Sequence, residues 1–90
     1  MKRILKYKVP FEDEFVLRMP EGAEILSVQA QYGALYLWAL VDEADHAITF
    51  RRFRLLGTGQ PVDDIRATDH VGTVMMGEGA FVWHLFTVGT

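Results

Sequence analysis

Cysteine is absent from these 90 residues, which excludes disulfides, thiolate-ligated metals and a cysteine nucleophile, and suits a reducing compartment. Serine is nearly absent: Ser27 stands alone, on the polar side of an alternating stretch with no histidine near it in sequence, so a serine-hydrolase triad is not expected. The histidines, His46, His70 and His84, lie far apart. None has the short spacing to a second histidine or carboxylate that marks a metal-binding helix or knuckle. Asp63, Asp64, Asp69 and His70 could approach a hard cation, but loops collect aspartate for turn chemistry alone. No run approaches the roughly 20 apolar residues that span a bilayer, and Lys6 and Lys8 interrupt the apolar stretch a signal peptide would need. Neither sign of charge dominates, since nine Lys and Arg stand against twelve Asp and Glu for a net charge of −3. That interspersed balance disfavours nucleic acid as a partner, which calls for clustered Lys and Arg. Neither a membrane, a metal nor a cofactor is expected.

Apolar alternation is abundant, with half of the residues hydrophobic, among them six Phe, three Tyr, two Trp and four Met. Ninety residues suit one domain, 1–90, with one core. Leu5, Tyr7 and Val9 alternate with lysines until Pro10; Phe15, Leu17 and Met19 repeat the period before a turn at Pro20-Glu21-Gly22. Leu26, Val28 and Ala30 alternate with Ser27, Gln29 and Gln31, and Tyr32-Gly33 predicts a tight hairpin into Leu35–Val41, which is apolar on both faces. Asp42–His46 is a solvated turn. In the next strand Ile48 and Phe50 share one parity and Phe53 and Leu55 the other, which predicts a β-bulge near Arg51-Arg52 or a strand covered on both faces. Residues 57–69 read as a long loop with a helical turn near Asp63–Arg66. A last hairpin joins Val71–Met76 through Gly77-Glu78-Gly79 to Ala80–Phe86. The fold expected is all-β: six or seven strands in an antiparallel barrel or two-sheet sandwich built from meander hairpins, with one long loop.

One segment departs from this pattern. Arg51, Arg52 and Arg54 precede Gly57-Thr58-Gly59 within nine residues, combining guanidinium forks with backbone N–H groups that glycine leaves approachable, the ingredients of a phosphate site. It lacks the Lys-Ser/Thr ending of a Walker loop and the third glycine of a dinucleotide fingerprint. Its plain alternative is an edge strand with solvated arginines leading into an ordinary turn. These six residues are the candidate ligand-binding set.

Several blocks together resemble a family of small uncharacterised proteins of tailed bacteriophages and prophages. They are Lys6-Tyr7-Lys8-Val9-Pro10, Pro20–Gln29, Leu37–Asp42, Arg51-Arg52-Phe53 with Gly57-Thr58-Gly59, and Gly72-Thr73 through Phe86, nearly the whole chain. Gln60 stands where that family would suggest a histidine. The resemblance implies a phage accessory protein in the host bacterial cytoplasm or a virion. The expectation is a non-enzymatic, homo-oligomeric binding protein, in its sharper form an anti-defence protein that sequesters a phosphate-bearing, nucleotide-like anion. The alternatives are a virion assembly component or an inhibitor docking on a host protein. Leu35–Val41 or Ala80–Phe86 would sit at the subunit interface, because one interior cannot cover both faces of each.

Overall fold

Apolar alternation becomes seven strands: β1 (Lys2–Val9), β2 (Glu14–Pro20), β3 (Glu24–Gln31), β4 (Ala34–Asp42), β5 (Ile48–Gly57), β6 (His70–Met76) and β7 (Phe81–Thr87). The structure is a computed structural model that describes residues 1–89. Tyr32 and Gly33 take positive φ, 50° and 77°, the geometry a two-residue hairpin needs to match strand twist. The turn thus fixes β3 against β4.

The strands form two antiparallel sheets, ordered β1-β4-β3 and β2-β5-β7-β6. The chain passes between sheets at β1–β2, β2–β3 and β4–β5. Both sheets bury one face in a shared core. Val9, Leu35 and Leu37 from the first, with Met19, Phe53 and Leu85 from the second, are exposed by 1% or less. Each such side chain contributes on the order of 1.5–3 kcal/mol by leaving water. Phe15 and Phe53 are paired across β2 and β5 and stack with centroids 5.3 Å apart.

The closed-barrel alternative is corrected. Among the described residues no ladder joins the sheets. Where β3 and β6 come closest, Val28 packs over Gly72 so tightly that a Cβ on Gly72 would stand 2.8 Å from Val28 Cγ1; side-chain packing occupies the place of backbone pairing. Both strands are irregular there, with register shifts between Ile25 and Ser27 and between His70 and Gly72. The first shift puts Ile25 against the core and leaves Leu26, expected inside, 47% exposed.

β5 carries no bulge in its pairing with β2, which runs unbroken from Glu14↔Arg54 to Pro20↔Ile48. Phe53 and Leu55 face the core, while Ile48 and Phe50 lie exposed on the outer face. On that outer parity Arg54 and Leu56 are buried as well, so the second alternative, a strand covered on both faces, describes its later half. The helical turn is a 3-10 turn at Ala67–Asp69, slightly later than expected. Among the described residues no helix is long and apolar enough to cross a membrane.

Candidate functional site

Strand alternation distributes the six candidate residues over three places. Arg54 points outward from β5 and is buried; Asp13, from the β1–β2 connection, accepts from its Nε and from its Nη2 at 2.9 Å, and Asp64 of the long loop accepts from its Nη1. Hydrogen bonds to Asp13 and Asp64 raise the guanidinium pKa, and the bond from Arg54 lowers that of Asp64. Gln60 extends the network, donating from Nε2 to Asp13 and accepting from the Gly57 N–H. This arginine fastens the long loop to the sheet. Arg52 is exposed on the same outer face, opposite Val16.

Gly57, Thr58 and Gly59 form the turn at the other end of β5, Gly59 with φ 89°. Arg51 to Thr58 is seven residues, about 24 Å of extended strand, far beyond the reach of one phosphate. Arg51 is therefore not brought to the glycine turn, whereas Arg54 is linked to it through Asp13 and Gln60 but has its fork taken up by Asp13 and Asp64.

Arg51 has the position the other arginines lack. It lies on the core-facing parity of β5, half-buried, in a cleft of about 430 Å³ shared with Glu24, Thr68, Asp69, His70 and Thr87. Its Nη1 donates to the Ala23 carbonyl at 2.9 Å. Among the described residues it makes no ion pair with either carboxylate of the cleft, Glu24 or Asp69, and Asp69 is engaged by Arg66 at 3.3 Å. A guanidinium has five N–H donors in a planar fork; Arg51 uses one on Ala23, in a cleft lined by the hydroxyl-bearing Thr68 and Thr87 and the carboxylate-bearing Glu24 and Asp69.

A second polar feature lies on the outer face of β6 and β7. Thr58 Oγ1 is 2.7 Å from His84 Nε2, His84 Nδ1 is 2.9 Å from Thr73 Oγ1, and that hydroxyl is 3.0 Å from His70 Nε2. A neutral imidazole donates from one nitrogen and accepts at the other, so this chain orders the hydroxyl protons and can relay one along its length. Half of it was legible in sequence: the hairpin that pairs Met76 with Phe81 also sets Thr73 opposite His84. Thr58 arrives from a loop whose path no local pattern encodes. Among the described residues no group of three or more His, Asp or Glu side chains is placed to hold a metal.

The family model of a domain of unknown function, DUF7352, matches residues 1–90. The chain belongs to that family. Neither a curated protein nor a solved structure matches it. The two polar features of this DUF7352 chain are the Arg51 cleft and the hydrogen-bonded run from Thr58 to His70.

Proposed function

We propose that this chain is a non-enzymatic binding protein that receives a small phosphate-bearing, nucleotide-like anion in the Arg51 cleft, the two sheets serving as a rigid sandwich scaffold. The observation that carries this reading is a half-buried guanidinium, held by one hydrogen bond to Ala23, with no carboxylate paired to it. Such a group binds an anion at little reorganisation cost, because the protein has already paid for its orientation. Thr68 and Thr87 supply further hydrogen-bonding groups in the cleft, and of its two carboxylates, Glu24 and Asp69, the second is held by Arg66. The likeness to tailed-phage proteins supports an accessory role in the host bacterial cytoplasm, the sequestration of a nucleotide signal of bacterial defence.

Self-association belongs to the same proposal. Phe11, Phe81 and Trp83 border an open, apolar groove of about 330 Å³, with Phe11 52% and Phe81 59% exposed. Aromatic side chains of this kind are enriched at subunit interfaces, and Phe81 and Trp83 belong to β7, one of the two strands apolar on both faces.

Calorimetry against cyclic nucleotides and ADP-ribose derivatives tests the binding. At least one should bind, with Arg51→Ala weakening it by about 1.5–3 kcal/mol, the range for hydrogen bonds to a charged group, and Arg52→Ala leaving it unchanged. Failure of every anionic ligand to bind, or equal loss on changing Arg52, would remove the cleft from consideration. The same nucleotides should be recovered intact after incubation; turnover abolished by Thr58→Val would instead make the Thr58–His84 pair catalytic.

A further inference from the structure

The outer face of the first sheet repeats one arrangement twice. Antiparallel register sets Lys6, Trp38 and Ser27 on one rung and Lys8, Tyr36 and Gln29 on the next. Paired residues on neighbouring strands point to the same face. These six point away from the core, because Tyr7, Leu37 and Val28 between them point into it. Each rung therefore presents a cation, an aromatic ring and a hydrogen-bonding group in the same order. Successive rungs are about 7 Å apart, two residues at roughly 3.4 Å each. That is about twice the 3.4 Å per nucleotide along one strand of a duplex, so the spacing suits a strand whose bases have been pulled out of their mutual stack.

We propose that this face is a platform for single-stranded nucleic acid, with successive bases stacked on Tyr36 and Trp38. Backbone phosphates follow Lys6 and Lys8, and base edges meet Ser27 and Gln29. Base–aromatic stacking beside a basic track is how strands are held without sequence preference. The net charge of −3 does not oppose this, because the acidic residues of the face, Glu24 opposite Leu40 and Asp42 opposite Lys2, lie toward the other end of β4 from Tyr36. Asp42 is also neutralised by the chain's amino group at 3.5 Å.

Lys6 rests in the place a base would take. Its Nζ stands 4.0 Å from the Tyr36 ring centroid, 5.9 Å from that of Trp38, and donates to Gln31 Oε1 at 2.6 Å. An exposed cation–π contact is weak, so the ammonium can swing from ring to phosphate. Other occupants fit less well. A duplex keeps its bases stacked inside and leaves both rings unused. A neutral glycan has no use for the lysines, and a second copy docked here would bury lysines that interface cores exclude.

Fluorescence anisotropy with labelled oligothymidylate and oligouridylate, each roughly a dozen nucleotides so as to cover one binding site, tests the proposal. At low salt the protein should bind one or both in preference to duplex DNA; which one it favours identifies the strand as DNA or RNA. Trp38→Ala should weaken binding on the order of 5- to 150-fold. Lys8→Glu, an exposed change that leaves the fold intact, should weaken it and flatten its salt dependence by about one to two ions. In a Trp83→Phe background the emission of Trp38 should be quenched on binding. Failure to bind either single strand at low salt, equal binding of duplex, binding with Trp38 emission unchanged, or binding indifferent to Lys8→Glu would each overturn it.

Discussion

Arg51 and Arg54 are three positions apart and chemically identical, yet alternation sends one into an open cleft and the other under two carboxylates. Arg54 is the structural one. Replacing it with Met should destabilise the fold by about 1.5–3 kcal/mol, toward the low end because Asp13 and Asp64 are half exposed and screened by solvent. Urea denaturation reads this directly, and ligand affinity at the Arg51 cleft should survive. The pH dependence follows from Asp64, whose folded pKa is lowered by the bond from Arg54. Its contribution is complete above the unfolded value, about 3.9, and is lost as the pH falls through the lower folded value. Stability measured between neutral and acid pH should therefore fall below about pH 4 in the native chain and fall less steeply in Arg54→Met. The clustering of three arginines was legible in sequence, but their division was not. The partners of Arg54 come from Asp13 and Asp64, 41 and 10 residues away, and no local pattern announces a contact at that distance.

Elements were legible wherever a turn or an unbroken alternation fixed them. Tyr32-Gly33 and Gly77–Gly79 set the registers of the two hairpins, and both hold in the structure. Irregularities were not legible. Ile25 and Leu26 are both large and apolar, so a shift that exchanges one for the other at the core leaves no trace in the hydrophobic pattern. In β5 the parity change of apolar residues reflected two exposed apolar side chains, Ile48 and Phe50, on the outer face rather than an extra residue. The β3–β6 contact likewise depends on Gly72 having no side chain. Gly72→Ala should destabilise by about 1–3 kcal/mol through overpacking against Val28, and Val28→Ala in the same chain should restore part of that loss. A double-mutant cycle in urea measures the coupling; additive effects would mean the two strands yield independently.

On the scale of the whole molecule, the apolar groove and the lysine-bearing face belong to different sheets. The groove of Phe11, Phe81 and Trp83 lies at one end of the second sheet, and the lysines of β1 lie on the outer face of the first. Light scattering at micromolar concentration should give a mass above that of the 10.2 kDa chain, and Phe81→Asp should return it to the monomer. A native chain already monomeric would leave the groove free for another partner. The all-β class was legible because apolar strands dominate the sequence; barrel and two-sheet sandwich stayed open, because alternation marks which face is buried and not whether the edge strands β3 and β6 pair. The cleft beside Arg51 was not legible, because it depends on where the long loop settles and is completed by residues 68–70 and 87.

The central claim, that Arg51 rather than the arginine cluster as a whole receives the anion, is most directly tested by following arginine Nε–H resonances by NMR while ADP-ribose is added. The Arg51 signal should shift on saturation together with the amides of Thr68, His70 and Thr87, while the Arg54 signal stays fixed in its pair with Asp13 and Asp64. Shifts confined to Arg52 or to Gly57-Thr58-Gly59, or a spectrum that does not change, would contradict the account.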